Sequence, residues 1–362
     1  MRIVHVVQGL GMGGQERLVV YLSQELAARG HDSIIVSLSP GGAVRAEAHG
    51  VRVHDATGAP GADPALVARL ASLLYRLKPD VVHTHNPAPM LHAVPAAILA
   101  RVRRRVHTKH SVNVYGSRAL WAARALVRAV DAVVAVSPET ERVARLKERV
   151  APGRLRVVSR GVPLGAFRPD AEARTRVRSE LAIAEGAFVV GSVGRLTQGK
   201  DYPLLVKAVG PLLSERVRLV LVGEGSGRID VERAVPAGRE PFVTLTGARS
   251  DVPGLLAAMD LFVLPSPCDG VPLAVAEAMA CGLPVVATRT GELESLVATP
   301  ADATEPVLLV RPHDELGLRS AIGTLASHPR RLRMMGEAAR RRAQERFSIE
   351  RMADEYEGIY RG

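Results

Sequence analysis

Short runs of apolar, often β-branched residues alternate along this chain with longer segments in which apolar residues recur at helical spacing. In the first half, the short runs predict strands at Ile3–Val7, Ser33–Leu38, Val51–Asp55, Asp80–His85, Arg104–Thr108, Ala132–Val136 and Leu155–Val158. Predicted helices lie between most of these strands, among them Gln15–Ala28, Ala65–Leu77 and Pro138–Val150. Apolar strands that alternate with amphipathic helices are typical of a parallel sheet covered by helices on both faces.

The same pattern begins again in the second half of the chain. Strands are predicted at Phe188–Val193, Arg218–Val222, Val243–Thr246, Leu261–Leu264, Pro284–Ala287 and Val307–Val310. Helices are predicted at Tyr202–Leu213, Pro253–Met259, Pro272–Ala280, Glu315–Ala326 and Arg330–Arg346. The fold class is therefore α/β, with two doubly wound sheets in tandem. Because ligands bind at the carboxyl ends of strands in open α/β sheets, two such sheets predict a cleft with a two-sided site.

A domain boundary is predicted near Arg160–Asp170, where the sequence RGVPLGAFRPD is rich in Gly and Pro and has no clear period. We place a first Rossmann-like domain at residues 1–165 and a second at residues 166–346. Residues 347–362 contain an amphipathic stretch, Ile349–Tyr360, which we expect to form a C-terminal helix.

Composition and charge narrow the class of protein. The chain has 362 residues, more than one core usually supports, and its 48 basic and 37 acidic residues give a formal charge of +11. The excess of Arg suits a phosphate or an anionic surface, but no helix-turn-helix, zinc knuckle or set of stacking aromatics favours nucleic acid. Cys268 and Cys281 are too few for a disulfide framework, and we interpret them as reduced packing residues. No membrane-spanning run or signal peptide is recognised, so a cytoplasmic location is expected.

Three motifs follow predicted strands. The first, LGMGGQER at Leu10–Arg17, opens a helix, and its glycines permit close backbone approach to a phosphate at the helix N-terminus. An ordinary strand-to-helix turn explains it equally well. The spacing G-x-G-x-x-G is not met, which disfavours an NAD-dependent dehydrogenase.

The second motif, GSVGRLTQGKDY at Gly191–Tyr202, carries Arg195 and Lys200 in a glycine-containing loop before a helix. Two cations at a helix N-terminus suit a diphosphate, because Arg binds two oxygens and Lys acts as a point charge. Simple solvation of both side chains at the surface is the alternative.

The third motif, SPCDGVPLAVAEAMACGLPVVAT at Ser266–Thr288, is the most specific. Asp269 lies in a loop before a helix, and Glu277 follows eight residues later, about two turns into that helix. Free N–H groups of the helix suit a phosphate and the two carboxylates suit hydroxyls, a combination that fits a sugar nucleotide. The alternative is an ordinary βαβ unit in which Asp269 caps the helix.

With these motifs the chain resembles glycosyltransferase family 4 over nearly its whole length. The family's elements occur in order: the GG loop, VHTHN, HTKH, GRLTQGKDY, LVGEGSGR, VTLTGARSDVPGLLAAMDLFVLPS and DGVPLAVAEAMACGLPVVAT. The resemblance implies the GT-B fold, with an acceptor-side first domain and a donor-binding second domain facing across a cleft. It also implies retaining transfer of a hexosyl or N-acetylhexosaminyl group in polysaccharide biosynthesis. The sugar passes from a nucleoside-diphosphate sugar to a hydroxyl of a glycan, lipid-linked or small-molecule acceptor.

The resemblance also assigns roles to residues of the second domain. Arg195 and Lys200 hold the donor diphosphate, and Glu277 accepts hydrogen bonds from the ribose. Asp269 replaces the first Glu of the family's E-x7-E motif and meets hydroxyls of the sugar, where its shorter side chain can change which sugar fits. Backbone groups of Gly270–Leu273 contact the sugar and phosphate, through Gly270, Val271, Pro272 and Leu273. Near the nucleobase lie Gly223 and the stretch Gly247–Arg249, which includes Ala248.

In the first domain, the resemblance places Gly13 and Gly14 near the donor phosphate and His110 near the donor sugar. The catalytic set is thus His110, Asp269, Arg195 and Lys200. A further departure from the family is Arg160, where Asn often precedes the Gly; no function follows from it. The C-terminal helix is expected to cross back to the first domain.

Four histidines lie near predicted strand ends: His83, His85, His107 and His110. His-x-His on a strand places both rings on one face, which is compatible with a metal. No Cys or carboxylate set completes such a site, and the basic pair of the second motif already supplies positive charge. We therefore expect no metal and no cofactor beyond the co-substrate. Two other functions share these features: a GT-B nucleotide-sugar epimerase and a non-catalytic sugar-nucleotide-binding module.

A basic and apolar stretch in the first half suggests peripheral contact with the inner face of a membrane. RVRRR at Arg101–Arg105 precedes Ser117–Val130, which mixes arginines with apolar residues and contains Trp121. Read as a helix, this stretch can present an interfacial face to anionic lipid. The alternative is a solvated helix whose apolar side packs on the first sheet.

Overall fold

The chain forms two structural units in the computed structural model, which describes residues 1–58, 61, 63–112, 116–267, 272–290, 293–294 and 304–362. One unit consists of Met1–Gly161 together with Ile349–Gly362, and the other of Val162–Ser348.

The first unit is built on a parallel sheet of seven strands. They are β1 (Arg2–Val7), β2 (Asp32–Ser37), β3 (Arg52–Asp55), β4 (Val81–His85), β5 (Arg104–Lys109), β6 (Ala132–Ala135) and β7 (Leu155–Val157), in the order β3-β2-β1-β4-β5-β6-β7. Its helices include α1 (Gly14–Ala28), α2 (Pro64–Leu77), α3 (Pro87–Leu99), α4 (Ser117–Leu126) and α5 (Pro138–Leu146). The strand order reverses at β1, so the carboxyl ends of β1 and β4 flank the position where such sheets bind ligands.

The second unit repeats this plan with six strands. They are β8 (Phe188–Val193), β9 (Val217–Val222), β10 (Val243–Gly247), β11 (Leu261–Leu264), β12 (Val285–Thr288) and β13 (Val307–Val310), in the order β10-β9-β8-β11-β12-β13. Its helices include α6 (Ala171–Glu180), α7 (Tyr202–Val209), α8 (Arg228–Arg233), α9 (Val252–Ala257), α10 (Leu273–Ala280), α11 (Glu315–Ala326) and α12 (Pro329–Arg346). Here the order reverses at β8, between β9 and β11.

The last helix, α13 (Ile349–Arg361), belongs to the first unit although it follows the second in sequence. Its buried residues recur at a spacing of three or four and form one apolar face: Ile349, Met352, Ala353, Tyr356 and Tyr360. On its polar side, Asp354 and Glu357 accept hydrogen bonds from Arg29 of the α1 C-cap at 2.5 and 3.2 Å. Burial of an apolar face and a charged contact therefore both fix α13 on the first unit.

The predicted α/β fold class is confirmed, and every predicted strand has a counterpart among the described residues. Two helices end four residues earlier than predicted, since α7 ends at Val209 rather than at Leu213 and α5 ends at Leu146 rather than at Val150. Arg149 adopts a left-handed φ of 60°, and the preceding Glu148 turns its side chain into the core. A residue in that conformation cannot continue an α-helix, so the chain leaves the helix there.

Candidate functional site

Most of the residues predicted to bind the donor lie along one edge of the second sheet. Arg195 and Lys200 follow β8, Gly223 follows β9 and Ala248 follows β10. Pro272 precedes α10, in the connection that follows β11. Because β10, β9, β8 and β11 are neighbouring parallel strands, their carboxyl ends place these residues at one edge. This edge includes the reversal of strand order at β8, where open α/β sheets bind ligands.

The loop after β8 is held by backbone hydrogen bonds to the loop after β9. The N–H of Gly194 donates to Val222 O at 2.9 Å, and the N–H of Leu196 donates to Glu224 O at 3.0 Å. Leu196 is fully buried, whereas the neighbouring Arg195 is exposed. The hydrogen-bonded backbone and the buried Leu196 fix the position from which the exposed Arg195 side chain extends.

A side-chain contact joins this loop to the one that begins the third motif. The hydroxyl of Ser266, which is buried, donates to Gly199 O at 3.0 Å. Lys200 directly follows Gly199 and is half-buried. The cationic loop and the start of the third motif are therefore neighbours in space, although they are 67 residues apart.

Two glycines allow the loops after β8 and β9 to lie against each other. Gly223 has a φ of 142°, and a Cβ on it would lie 1.9 Å from Gly194 O. A Cβ on Gly225 would lie 2.2 Å from Leu196 O. Any larger residue at either position would collide with backbone, so these glycines are required by the fold of the site whatever Gly223 contacts in a ligand.

The end of β10 completes this side of the edge. Gly247 O accepts a hydrogen bond from the N–H of Gly223 at 2.9 Å, and the next residue, Ala248, is exposed. Arg249 is bound by carboxylates on both sides, with Asp251 at 2.7 Å and Glu180 at 2.6 Å. These ion pairs engage Arg249, whereas its two neighbours in the chain, Ala248 and Ser250, are exposed.

Helix α10 carries the buried carboxylate of the third motif. The helix begins at Leu273, with Pro272 as its N-cap in an extended conformation, and Glu277 is its fifth residue. The expectation that Glu277 lies about two turns into the helix is therefore wrong, because the helix starts later and the distance is just over one turn. The Glu277 side chain is buried. Asp269, Gly270 and Val271 lie outside the described residues, as does Cys268.

Cys281 directly follows α10 and is a free, buried thiol. Burial raises the pKa of this thiol to about 12, and the nearby Glu277 carboxylate adds to the rise. A thiol with so high a pKa is protonated at neutral pH and is a poor nucleophile.

In the first unit, the glycine loop after β1 leads into α1. Gly13 is the N-cap of α1 in an extended conformation, and Gly14 is the first residue of the helix. A Cβ on Gly13 would lie 2.2 Å from a carboxylate oxygen of Glu16, which shows that the Glu16 side chain folds over the helix start. A Cβ on Gly42 would lie 2.2 Å from Leu10 O, so a second segment closes against this loop.

His110 follows β5 and is buried with its backbone held on both sides. Its N–H donates to Asn86 Oδ1 at 3.0 Å, and its carbonyl accepts from Arg160 Nη2 at 3.0 Å. The Asn86 amide also donates to Gln15 Oε1 at 2.5 Å, which ties the ends of β4 and β5 to α1. Arg160, to which the sequence assigned no function, is thus a support for His110.

The imidazole of His110 belongs to a cluster of buried histidines. His85 Nδ1 lies 2.9 Å from His110 Nε2, and His85 Nε2 lies 3.1 Å from His5 Nδ1. Burial lowers the pKa of His5 and of His107 to about 3. Burial also holds the pKa values of His83, His85 and His110 well below their usual range. All five rings are therefore neutral at pH 7.

His83 connects this cluster to the C-terminal helix. Its Nδ1 lies 2.8 Å from the Tyr360 hydroxyl and its Nε2 lies 2.7 Å from Thr108 Oγ1. Thr108 Oγ1 in turn lies 2.9 Å from the Tyr356 hydroxyl. Two tyrosines of α13 thus pair with the polar groups of β4 and β5, which keeps them satisfied in the interior.

Ring nitrogens of His5, His83 and His85 lie within 4.8 Å of one another, a spacing compatible with a metal ion. A metal would have to replace the hydrogen bonds that both nitrogens of His83 make and the contact between His5 and His85. The sequence prediction did not include His5, because a single histidine on β1 has no local pattern. The strand order shows that His5 joins this group, since β1 pairs with β4 and His5 lies opposite His83.

The surface of α4 retains one large exposed apolar residue. Val127 and Val130 at its end are buried in the core of the first unit, whereas the Trp121 side chain is 74% exposed. The apolar side thus packs inward as the alternative interpretation of this stretch expects, with Trp121 as the exception. No helix in the described parts of the chain combines the length and apolar character needed to cross a bilayer.

Comparison with known proteins gives consistent matches in both halves. Residues 12–165 match the family Glycosyltransferase Family 4, and residues 187–328 match Glycosyl transferases group 1. The chain is 32% identical over 311 residues to the GDP-mannose-dependent alpha-mannosyltransferase of Mycobacterium tuberculosis, an alignment that covers 79% of this chain and 78% of that protein. It is 27% identical over 310 residues to the UDP-Gal:alpha-D-GlcNAc-diphosphoundecaprenol alpha-1,3-galactosyltransferase of Escherichia coli, covering 80% and 77%.

Solved structures show the same fold. The structure of Anabaena Alr3699/HepE in complex with UDP and glucose superposes with a TM-score of 0.85 at 23% identity, covering 99% of this chain and 98% of that one. At this level of identity the likeness establishes the fold.

Proposed function

Because the chain belongs to glycosyltransferase family 4 and has the GT-B type of fold, we propose that this glycosyltransferase moves a hexosyl group, with retention of configuration, from a nucleoside-diphosphate sugar to an acceptor hydroxyl. The observation that carries the proposal is the edge of the second sheet. There an exposed Arg195, the half-buried Lys200 and the glycine contact of Gly223 lie around the reversal of strand order. Two side chains suited to bind a diphosphate therefore lie at the position where open α/β sheets bind their ligands.

Stabilisation of the leaving group is the chemical task proposed for Arg195 and Lys200. Glycosyl transfer passes through an oxocarbenium-like state while negative charge grows on the departing diphosphate. A guanidinium and an ammonium fixed on a braced loop stabilise that charge without reorganising. Backbone N–H groups at the start of α10 and at Gly13 and Gly14 are proposed to add to this stabilisation.

Recognition of the hydroxyls is proposed for the two carboxylates of the third motif. Glu277, buried in α10, accepts from the ribose, and Asp269 accepts from hydroxyls of the transferred sugar. With both carboxylates engaged in binding, neither serves as a covalent nucleophile. Retention is instead proposed to arise from displacement on the same face of the sugar, in which the leaving phosphate takes the proton of the acceptor. His110 is proposed to contact the sugar during this step.

Donor and acceptor classes are proposed from the named relatives. One is named for GDP-mannose, and the other for UDP-Gal and a diphosphoundecaprenol acceptor. We therefore propose a UDP- or GDP-linked hexose as donor and a glycan or lipid-linked acceptor, with a small-molecule aglycone as the alternative. If the acceptor is lipid-linked, we propose that the protein contacts the membrane surface through Trp121 and the nearby arginines. Sedimentation with anionic but not neutral vesicles at low salt tests this contact.

The proposed function is tested by a donor screen followed by product analysis. UDP- and GDP-linked sugars are added singly, and the ligand that raises the thermal midpoint is carried forward, because a ligand of the native state stabilises by mass action. Transfer from that donor with the anomeric configuration preserved in the product is the expected result. Isomerisation of the nucleotide sugar without any acceptor would identify an epimerase, and binding without turnover over a wide acceptor panel would identify a binding module.

A further inference from the structure

Three buried imidazoles form a hydrogen-bonded chain that ends at His110. His5 on β1, His85 at the end of β4 and His110 after β5 are linked through His5 Nδ1 to His85 Nε2 at 3.1 Å and His85 Nδ1 to His110 Nε2 at 2.9 Å. Neighbouring strands of one sheet supply the three residues, because β4 lies between β1 and β5. The chain is thus part of the rigid core of the first unit.

The tautomers of the three rings are coupled. A neutral imidazole has one N–H and one lone pair, so each link of the chain needs one donor and one acceptor. If His5 donates to His85, then His85 must donate to His110, and the proton of His110 must lie on Nδ1. If the direction is reversed, the proton of His110 lies on Nε2 and that of His5 on Nε2. Only these two arrangements satisfy both links.

The two ends of the chain differ in their surroundings. Among the described residues, His5 Nε2 and His110 Nδ1 are buried atoms without a hydrogen-bond partner. His5 is completely buried, whereas His110 keeps 6% of its surface exposed. A buried N–H without a partner is rarer in proteins than an unsatisfied acceptor. Each arrangement leaves one ring N–H without a protein partner. With the proton on His110 Nδ1, that N–H belongs to the partly exposed residue, for which the proposed contact with the sugar would supply an acceptor, so this arrangement is favoured.

We infer that His5 and His85 are positioning residues that fix His110 as a hydrogen-bond donor through Nδ1, aimed at an oxygen of the bound donor sugar. The inference rests on the proposed contact between His110 and the sugar. Donation runs in one direction from His5 through His85 and His110 to the substrate, and successive hydrogen bonds in a low-dielectric interior polarise one another. No proton leaves the chain, and its role is to present the correct ring nitrogen in the correct state.

The groups around the chain do not compete for its protons. His83 packs against the rings with centroid distances of 4.1 Å to His85 and 5.2 Å to His5. Both of its own nitrogens are engaged by Tyr360 and Thr108. Arg160 donates to the carbonyl of His110, and its positive charge further disfavours a protonated His110 ring. The direction of the chain is thus decided at its ends.

The first test is spectroscopic and needs no substrate. Long-range ¹H–¹⁵N spectra of histidine-labelled full-length protein distinguish protonated from unprotonated ring nitrogens. The expected result is a single His110 tautomer with the proton on Nδ1. A His110 proton on Nε2 in the wild-type protein would overturn the inference without any variant.

Variants of His5 test whether the chain sets this state. His5→Leu removes the donor, so His110 is expected to lose its uniform tautomer, and kcat/KM for the donor is expected to fall about tenfold, the value of one buried hydrogen bond. His5→Asn places an amide N–H near the position of Nδ1 and is expected to restore both. His107→Asn is the matched control, because His107 is equally buried on β5 but bonds Thr84 outside the chain. An unchanged His110 tautomer in a folded His5→Leu protein would contradict the inference.

Failure of the proposed function gives a different result. If the tautomer depends on His5 but His110→Ala transfers sugar at the wild-type rate, the proposed contact of His110 with the sugar is wrong, and the positioning role fails with it. If no donor supports transfer in the wild-type protein, the spectra still decide the direction of the chain.

Discussion

Lys109 and Glu148 form an ion pair in the interior of the first unit, with Nζ and Oε1 2.6 Å apart and side chains 1% and 2% exposed. Lys109 ends β5 and Glu148 lies in the turn after α5. Removal of either partner takes its counter-ion away from a buried charge, so Glu148→Leu and Lys109→Met are each expected to destabilise this unit by about 3–5 kcal/mol. The double variant is expected to recover much of that loss, because two apolar side chains replace both charges.

Urea unfolding followed by a probe in the first unit measures this effect. Glu139→Leu, at an exposed position of α5, is the control and should change stability by less than about 0.5 kcal/mol. Wild-type stability in Glu148→Leu would show that the Lys109 charge is compensated by other groups.

Arg195→Ala and Lys200→Ala are each expected to cost about 2–4 kcal/mol of transition-state stabilisation, as judged from the loss of one contact to a developing oxyanion. The physical reason is the growing negative charge on the leaving diphosphate. The measurement is kcat/KM for the donor, with Arg233→Ala, an exposed arginine on α8, as control. Near-normal turnover in the Arg195→Ala/Lys200→Ala double variant would remove both residues from the donor site.

The two carboxylates of the third motif are expected to separate by role. Glu277→Ala should weaken both transfer and binding of the free nucleoside diphosphate, since Glu277 is assigned to the ribose. Asp269→Ala should reduce transfer but leave nucleoside diphosphate binding nearly unchanged, since Asp269 is assigned to the sugar. Calorimetric titration with UDP and GDP, alongside transfer rates, checks the difference. Equal loss of nucleotide affinity in the two variants is the result that these assignments do not allow.

Stability of the first unit is expected to fall with acid because its histidines are buried without charge. The folded-state pKa of His5 and of His107 is about 3, against an ordinary value of 6.5, so the unfolded chain binds more protons between these limits. Stability is therefore complete above pH 6.5 and is lost as the pH falls towards 3, by about 1.4 kcal/mol per pH unit for each such histidine. Unfolding free energies measured from pH 7 to pH 4 test the slope.

His107→Asn removes one of these histidines and is expected to reduce the slope by about 1.4 kcal/mol per pH unit. His49→Asn, at an exposed position, is the matched control. A slope that does not change in His107→Asn would mean that His107 is not a buried neutral group.

Transfer is expected to survive chelation. The proposed diphosphate site has cationic side chains, and both ring nitrogens of His83 and of His85, two of the three histidines close enough to share a metal, are already hydrogen-bonded. The enzyme is assayed after dialysis against EDTA, and its bound metal is measured by mass spectrometry. Loss of activity that Mn²⁺ or Mg²⁺ restores, or one equivalent of metal in the purified protein, would reverse the expectation.

The strands and the position of the cationic loop could be predicted from the sequence, because both depend on residues that are neighbours in the chain. The helices α6 and α8 were not predicted, since Ala171–Glu180 is mostly polar and Arg228–Arg233 is only six residues long. Contacts between distant positions left no local signal. The pair Lys109 and Glu148 is separated by 39 residues, and Arg160 supports His110 across 50. His5 became visible only when the strand order placed β1 beside β4.

The return of α13 to the first unit has a consequence for biosynthesis. Tyr356 and Tyr360 supply hydroxyls to Thr108 and His83, so those interior groups have no such partners until α13 is made. A ribosome releases residues 162–348 before it releases α13. The first unit is therefore completed only after residues 162–348 have been made, and its buried histidines lack these tyrosine partners while the second unit emerges.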